Sequence, residues 1–492
     1  MTETYQLHID GQWRAAADGG TLPAINPYDQ SIHAHIAVAT AEDVEAAIAA
    51  ARRAFDSVWS KTTPGERAKL LNRVADLLDA DADRMALLET TDNGKVIRET
   101  HNQMGYAARI FRYYAGWADK MHGDVVPLDQ KDTLDFAIRV PYGVVACVTA
   151  WNSPVAILTN TLPAALAAGN CVILKPSEHA STTTLEMMKL CEKAGFPAGV
   201  VQVVTGAGEV GAALTGSRLV DKVSFTGSPG VGRKIAAVAG GNLKPVTMEL
   251  GGKSPNIVFD DADFDRALIG ALAGIFGATG QTCIAGSRLL VQRGIYERMV
   301  EGLAARAAQI RMGDPRLPET EMGTAANEPQ FDKILSFIAA ARGDGARLVA
   351  GGGRAEGPGL EKGFFIEPTI FADVRNDMKV AAEEIFGPVL SIIPFDEEEE
   401  AVSIANDTPY GLASGVWSQD INRCLRMMRA VQSGVLWVNT YRVAAPQAPF
   451  GGMKDSGFGR VRGEAGIQEF QQTRNVFIDF SGDRRDPFSM KF

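Results

Sequence analysis

The sequence is poor in cysteine, in excess basic charge and in long apolar segments, and each shortage argues against a class of protein. Only five of the 492 residues are cysteine, and their spacing shows no pairing, so we expect no disulfide framework and a cytoplasmic location. No cysteines and histidines stand at zinc-ligand spacing, so no metal site is expected. The formal net charge of −10 argues against a nucleic acid or an anionic membrane as partner.

Segments that would direct the chain to a membrane are missing as well. No apolar run approaches the roughly 20 residues that span a bilayer. The first residues, Met1–His8, contain neither a basic nor an apolar region, so no secretory signal peptide is expected. With 492 residues, of which 46% are hydrophobic and 22% charged, the chain is typical of a globular protein with two or more domains.

The two ends of the chain differ in pattern from its middle. Residues 1–122 are predicted to be mostly helical, since Thr40–Asp43 resembles a capping box and an amphipathic pattern follows it. Two strands around a polar turn are predicted at Val125–Leu128 and Thr133–Val140. Asn475–Phe480 predicts a last strand, whose apolar face needs a partner.

In the middle, short apolar runs alternate with helical stretches. The predicted strands are Val144–Val148, Cys171–Leu174, Val200–Val204, Lys222–Phe225 and Asn256–Phe259, followed by Leu289–Val291, Val389–Ile393, Gly415–Trp417 and Val435–Val438. The predicted helices between the first five are Leu158–Ala168, Thr183–Ala194, Gly208–Leu214 and Gly230–Ala239. Apolar strands that alternate with helices predict an α/β fold with parallel sheets, here in two domains.

Two glycine-rich loops follow predicted strands, and a dinucleotide needs only one of them. Gly206–Gly211 matches the GxGxxG fingerprint, but Glu209 would place a carboxylate beside the phosphates. The helix after the other loop, Phe225–Gly232, begins with Arg233 and Lys234 and no acid, so its amides can hold a phosphate. The charge pattern favours the second loop as the phosphate-binding loop, although both loops also fit a tight turn that binds no ligand.

One cysteine differs from the other four. Cys283 follows a glycine-rich break, whereas the others lie in apolar strand or helix patterns that are typical of buried residues. Those others are Cys147, Cys171, Cys191 and Cys424. A thiol between small residues can act as a nucleophile, and Glu249 can act as the base that activates water. Together they indicate oxidation of an aldehyde through a covalent thioester.

With these residues the chain resembles the aldehyde dehydrogenase superfamily over nearly its full length. The motifs occur in the family's order: Ala150–Pro154, Lys175–Glu178, Phe225–Gly232, Met248–Lys253, Gly280–Cys283, Glu384–Pro388 and Pro449–Gly452. The resemblance implies three parts: a Rossmann-type parallel-sheet cofactor domain (1–122 and 142–251), a second α/β catalytic domain (252–470), and a small β oligomerisation element (123–141 and 471–492). A homodimer or a homotetramer is therefore expected.

The resemblance also implies roles for three catalytic residues. Cys283 would add to the aldehyde carbon, and Asn152 would stabilise the oxyanion together with the backbone N–H of Cys283. Glu249 would activate the water that hydrolyses the thioester, for which a raised pKa and partial burial are expected. Without the resemblance, Asn152 fits a turn residue and Glu249 a solvated loop acid.

For the cofactor, the resemblance implies NAD and leaves NADP open. The residues assigned to it are Trp151, Lys175, Glu178, Gly227, Ser228, Glu384 and Phe386. The carboxylate of Glu178 would accept hydrogen bonds from the adenosine ribose and repel a 2′-phosphate. Glu384 would bind the nicotinamide ribose, with Phe386 packed near the ring.

The substrate funnel departs from the family pattern. The residues expected to line it are Ser153, Thr282, Ile284, Arg442 and Phe450. Ser153 stands where the family often has an aromatic side chain, which predicts a wider pocket. Arg442 fits either a group that attracts a substrate carboxylate, such as that of a semialdehyde acid, or a surface arginine. The physiological aldehyde stays open.

Two other functions fit parts of this pattern. A related enzyme that transfers the acyl group to coenzyme A generally lacks a glutamate at position 249, so Glu249 argues against it. A non-catalytic, structural use of the fold is opposed by the joint presence of Cys283, Glu249 and Asn152.

Overall fold

Two large β-sheets, of eight and seven strands, organise the protein in a computed structural model that describes residues 2–482 and residue 488. The end of the predicted oligomerisation element, residues 483–487 and 489–492, lies outside the described residues. The core around the eight-stranded sheet is formed from residues 5–250 together with Ile467 and Phe470, and the core around the seven-stranded sheet from residues 257–441. Each large sheet thus has a core of its own.

The chain begins with five short strands, so the prediction of a mostly helical start is wrong for this segment. They are β1 (Glu3–Tyr5), β2 (Leu7–Ile9), β3 (Gln12–Arg14), β4 (Thr21–Ile25) and β5 (Ile32–Ala37). All five have three to six residues, too few for an alternating pattern to be recognised. Their pairing is partly remote in sequence, since His8 of β2 pairs with Val203.

Four helices follow these strands. They are α1 (Ala41–Ser57), α2 (Pro64–Ala80), α3 (Ala82–Asn93) and α4 (Ile97–Trp117). The predicted capping box is confirmed, because the Thr40 hydroxyl accepts from the N–H of Asp43 and the Asp43 carboxylate accepts from the N–H of Thr40. Gly94 ends α3 in the left-handed conformation, with φ 74°.

The predicted hairpin and the alternating region after it are confirmed. The elements are β6 (Asp124–Val126), β7 (Thr133–Pro141), β8 (Val144–Val148), α5 (Pro154–Ala167), β9 (Cys171–Lys175), α6 (Thr182–Ala194), β10 (Val201–Val203), α7 (Gly208–Gly216), β11 (Lys222–Thr226), α8 (Pro229–Gly241) and β12 (Val246–Glu249). Strands β12, β11, β8, β9 and β10 lie side by side in that order and run parallel. Antiparallel strands β2 and β3 extend this sheet beyond β10.

The second series forms the seven-stranded sheet. Its region contains β13 (Pro255–Val258), α9 (Phe264–Phe276), β14 (Arg288–Gln292), α10 (Tyr296–Ala307), α11 (Glu328–Gly343), β15 (Arg347–Ala350), β16 (Thr369–Ala372), α12 (Lys379–Ala382), β17 (Val389–Phe395), α13 (Glu398–Asn406), β18 (Tyr410–Gly411), β19 (Ala413–Trp417), α14 (Ile421–Ala430) and β20 (Val435–Val438). The strand order is β15-β16-β17-β14-β13-β19-β20, and only the β15–β16 pair is antiparallel.

The last elements return to the first sheet and to the hairpin. They are β21 (Met453–Lys454), β22 (Gly457–Phe458), α15 (Gly463–Gln468) and β23 (Gln471–Asp479). β22 pairs antiparallel with β12 and completes the eight-stranded sheet. The predicted last strand is confirmed as β23, which pairs with β7 over nine residues in a three-stranded sheet, β23-β7-β6. Within the described chain, no helix is both long and apolar enough to cross a bilayer.

Candidate active site

A cavity of about 460 Å³ is lined by residues from both halves of the protein. β8 leads to Asn152, β11 leads to Gly227 and β12 ends at Glu249, so the carboxyl ends of three parallel strands meet there. The predicted site residues that line it are Trp151, Asn152, Ser153, Gly227, Ser228, Glu249, Thr282, Cys283, Ile284, Glu384, Phe386, Arg442 and Phe450. Lys175 and Glu178 follow β9 and do not line the cavity.

The backbone before Cys283 bends sharply and brings the thiol into the cavity. After α9, a 3₁₀ turn at Gly277–Gly280 contains three consecutive residues with left-handed φ. A Cβ on Gly280 would lie 2.1 Å from the carbonyl oxygen of Gly387, so a side chain does not fit there. A Cβ on Gly252 would likewise lie 2.5 Å from the carbonyl oxygen of Cys283. These two glycines allow the close backbone contacts that fix the position of the thiol.

Cys283 is the only one of the five cysteines, all of them in described residues, that is partly exposed. Burial in the protein, together with the negative charges of Glu249 and Glu384, raises the pKa of its thiol to about 12, and Arg462 opposes this shift. The thiol is therefore protonated at neutral pH in this structure. A base must take the proton before the sulfur can attack.

The carboxyl group of Glu249 is buried, and neither of its oxygens has a hydrogen-bond partner within residues 2–482. Burial raises its pKa well above the usual value, against the opposing charges of Arg462 and Arg460. A Cβ on Gly451 would lie 2.9 Å from the nearer carboxylate oxygen, so this glycine leaves space beside the acid. An unpartnered buried carboxyl is costly, and a raised pKa suits a general base.

Asn152 is held by contacts on both its side chain and its backbone. Its Nδ2 donates to the carbonyl oxygen of Gln281 at 2.9 Å, which leaves the second N–H of the amide uncommitted. Lys95 is buried behind it, and its Nζ donates to the carbonyl oxygen of Asn152 at 2.6 Å and to the hydroxyl of Ser153 at 2.5 Å. Sequence reasoning missed Lys95, because nothing in its local pattern shows that it is buried against this loop.

One part of the cavity wall is formed by Glu384 and two aromatic rings. One carboxylate oxygen of Glu384 accepts from the backbone N–H of Gly252 at 3.0 Å, and burial raises the pKa of this acid. The ring of Phe386 meets that of Trp151 edge-on, with centroids 5.2 Å apart. Phe386 has a left-handed φ of 62°, and Gln330 Nε2 donates to its carbonyl oxygen at 2.8 Å.

The two glycine loops have different surroundings. The second loop lines the cavity: Ser228 caps α8 by accepting from the N–H of Val231 at 3.4 Å, and the first turn of α8 has no acid. The first loop does not line the cavity, and its helix α7 begins with Glu209. A Cβ on Gly206 would lie 2.5 Å from a methyl of Val210, which explains that glycine by packing.

Lys175 and Glu178 form a pair beside the first loop. The Nζ of Lys175 lies 3.9 Å from a carboxylate oxygen of Glu178 and donates to the carbonyl oxygen of Pro176 at 2.9 Å. Burial lowers the pKa of Lys175, which Glu178 opposes. A Cβ on Gly211 would lie 3.5 Å from the side-chain carbons of Lys175, so the end of the first loop packs against this pair.

Arg462 is a further cavity residue that sequence reasoning missed. Its guanidinium lies over the ring of Phe450 at 4.8 Å and over that of Tyr106 at 5.4 Å, and its Nε donates to Asn160 Oδ1 at 2.9 Å. Only the folded chain brings α4, α5 and the start of α15 together around it. No local sequence signal marks it.

The chain is similar in sequence and in structure to known proteins. A family model described as the aldehyde dehydrogenase family matches residues 13–476. An aldehyde dehydrogenase of Emericella nidulans is 43% identical over 96% of this chain and 94% of that protein. A betaine aldehyde dehydrogenase of Bacillus subtilis is 42% identical over 97% of each. The solved structure of a betaine aldehyde dehydrogenase from Staphylococcus aureus, in complex with NAD+, is 38% identical, with a TM-score of 0.97 over 99% of this chain and 97% of that one.

Proposed function

Because this chain belongs to the aldehyde dehydrogenase family, we propose that Cys283, Asn152 and Glu249 are its catalytic residues. The predicted family and α/β fold are confirmed, and the chain is an oxidoreductase that converts an aldehyde to a carboxylic acid with NAD(P). The main support for the residue roles is that the thiol of Cys283 and the unpartnered carboxyl of Glu249 line one cavity.

In the first half of the reaction, Cys283 attacks the aldehyde carbon and forms a thiohemiacetal. The thiol proton passes to solvent as the carbon–sulfur bond forms, so this step does not require Glu249. The free N–H of Asn152 and the backbone N–H of Cys283 donate to the oxyanion. When bound, NAD would supply the hydride acceptor for the tetrahedral carbon, and oxidation would leave a thioester on Cys283.

In the second half, Glu249 takes a proton from water as the water attacks the thioester. The carbon–sulfur bond breaks, and the acid leaves Cys283 free. The balance is aldehyde, NAD+ and water to carboxylic acid, NADH and one proton. The high pKa of Glu249 suits this step, because a carboxylate in a dry site holds a proton better than a solvated one.

The residues around the cavity fit a dinucleotide. Gly227 and Ser228 precede α8, whose first turn contains no acid and whose positive dipole end favours a pyrophosphate. Glu384 would bind the nicotinamide ribose, and Phe386 would pack near the ring. The Lys175–Glu178 pair would bind the adenosine ribose, and the relative solved with NAD+ supports NAD as the cofactor, with NADP as the second candidate.

Product analysis tests this function against the two alternatives. The purified protein, given a panel of aldehydes with NAD and no coenzyme A, should form NADH and free acid in equal amounts. Cys283→Ala should abolish turnover, whereas Cys424→Ala, a buried cysteine of α14, should retain it. Formation of acyl-CoA, with NADH formed only when coenzyme A is present, would favour the acyl-transfer enzyme. Binding of NAD without reduction by any aldehyde would favour a structural use of the fold.

We also propose a domain division, an assembly and a location. Residues 1–122 and 142–251 would bind the dinucleotide and residues 252–470 would supply the nucleophile, in line with the two separate cores. Residues 123–141 and the tail from 471 would join copies into a homodimer or a homotetramer. The unpaired thiol required for catalysis suits the reducing cytoplasm.

A further inference from the structure

Two arginines give the substrate side of the cavity a positive charge. Arg442 and Arg462 both line it, and neither forms an ion pair with a carboxylate of the described chain. The cavity's acidic lining residues, Glu249 and Glu384, are both buried with raised pKa values. Neither arginine is therefore held in an ion pair within the described chain, and both guanidinium groups can meet a ligand in the cavity.

Arg462 is pre-organised as a receptor. Its guanidinium lies over Phe450 and Tyr106, and its Nε is fixed by Asn160. Both terminal amino groups have no acceptor among residues 2–482. The backbone at Arg462 has a left-handed φ of 63°, which is uncommon for a residue with a side chain.

Arg442 is held in a similar way. Its φ is 65°, and one terminal amino group donates to the carbonyl oxygen of Ala273 at 3.1 Å. A Cβ on Gly277 would lie 2.2 Å from that same amino group, so this glycine makes room for the guanidinium. The remaining N–H groups of Arg442 have no acceptor in the described part of the chain.

We propose that Arg442 and Arg462 form a carboxylate-binding subsite, and that the substrate is an aldehyde with a carboxylate at its other end. The planar fork of N–H donors in arginine matches a carboxylate, and charged hydrogen bonds of this kind are strong. The inference rests on the proposed function, because it places the aldehyde carbon at Cys283. It resolves the two interpretations of Arg442 in favour of substrate binding.

The same geometry argues against a quaternary ammonium substrate. Recognition of such a group uses the open faces of aromatic rings. Here the guanidinium of Arg462 already lies over Phe450 and Tyr106, and a second cation would also be repelled by Arg442. The relatives named betaine aldehyde dehydrogenase therefore share the fold with this chain, and the charge of this cavity selects a different substrate class.

Matched aldehydes test the subsite. We expect kcat/KM for succinic or glutaric semialdehyde to exceed that for its methyl ester by about ten- to hundredfold. Arg462→Met and Arg442→Met should each remove most of this ratio. Each variant keeps a side chain on a residue whose backbone φ is left-handed, so the backbone environment is matched to that of the wild type. Arg266→Met is the control, because Arg266 is exposed, does not line the cavity, and donates to the Asn439 carbonyl oxygen in the same loop region. Its ratio should equal that of the wild type.

Three outcomes would overturn the subsite: equal kcat/KM for acid and ester, a ratio unchanged in both arginine variants, or a preference for betaine aldehyde. Each leaves the proposed function standing if butanal still reduces NAD. Absence of NADH with every aldehyde would instead refute the proposed function.

Calorimetric titration of the Cys283→Ala protein with succinate tests the subsite without turnover. Adding Arg462→Met should weaken that binding about tenfold or more, and an unchanged affinity would count against the proposal.

Discussion

The buried carboxyl of Glu249 has no hydrogen-bond partner within the described residues, so both of its oxygens are available to a water molecule. The resemblance of the sequence to a family indicated Glu249 as the base. Its electrostatic environment depends on Arg460, Arg462 and Glu469, which lie about two hundred positions further along the chain. The direction of the pKa shift was therefore predicted from the sequence, whereas the residues that surround the carboxyl were not.

Replacing Glu249 by glutamine should separate the two halves of the reaction. Gln cannot take a proton from water, so the thioester should accumulate and steady-state kcat should fall about a hundredfold or more. Stopped-flow absorbance should show an NADH burst approaching one equivalent per chain. Glu209→Gln is the control, because it replaces an exposed acid in the first turn of α7. This variant should keep the wild-type turnover and should not show a burst with a slow phase after it. Loss of the burst itself in Glu249→Gln would assign Glu249 to an earlier step.

The pH dependence of kcat should follow the same group. Since burial raises the pKa of Glu249, its carboxyl stays protonated at pH values where a solvated glutamate is ionised. The base form is lost as pH falls through the raised pKa, so the deacylation rate should fall in that direction. Steady-state kcat of the wild type, measured between about pH 5 and pH 9, should show this acidic limb, and Glu249→Gln should lack it. An identical limb in both proteins would contradict the assignment.

At the scale of elements, three parallel strands and the turns that follow them assemble the site. β8, β11 and β12 are neighbours in the sheet, so Asn152, Gly227 and Glu249 meet although they are far apart in sequence. The alternation of apolar runs and helices was enough to predict β8 and β11, whereas β12 was not predicted as a strand. The five strands at the start were not predicted, because short strands held by remote partners leave little local signal.

The second glycine loop should tolerate a side chain less well than the first. A Cβ on Gly227 would lie 2.5 Å from the ring of Phe225, whereas a Cβ on Gly208 meets nothing within 4 Å. Gly227→Ala should therefore displace the loop at α8 and weaken NAD binding about tenfold, as overpacking typically costs 1–3 kcal/mol, roughly. Equilibrium titration of NAD by protein fluorescence measures this.

Gly208→Ala is the matched control in the loop with the GxGxxG pattern. It adds the same methyl group to the first turn of α7, where alanine is a better helix former than glycine. Its affinity for NAD should equal that of the wild type. The reverse result, with weakened binding only in Gly208→Ala, would assign the dinucleotide to the first loop.

At the scale of the whole molecule, the three-stranded sheet has an open edge. β23 pairs with β7 on one side, and no strand of the described residues pairs with its other side. Phe477 and Phe480 are exposed on and just after this strand, and Val125 is exposed on β6. An uncovered edge strand with apolar side chains favours association, which is the basis of the proposed oligomer.

A charge on this strand should disrupt the assembly. Phe477, with 64% of its surface exposed in the single chain, should be buried between copies, so Phe477→Glu should shift the protein towards smaller species. Light scattering after size exclusion would measure the molar mass. Leu243→Glu, at a position 93% exposed beside α8, is the control and should leave the mass unchanged. A wild-type protein with the mass of one chain would refute the oligomer.

The sequence by itself determined the reaction class, the α/β fold, most of the strands and the identity of the residues around the thiol, because these depend on local patterns and on motifs that stand in a fixed order. The tertiary structure determined the burial, the nearby charges and the contacts of each of those groups. Within the described residues, it left the carboxyl of Glu249 without a hydrogen-bond partner, placed Lys95 behind Asn152, and brought two arginines without an ion pair into one cavity. Burial, charge and close backbone contact arise only when segments distant in sequence meet, so no local pattern contains them.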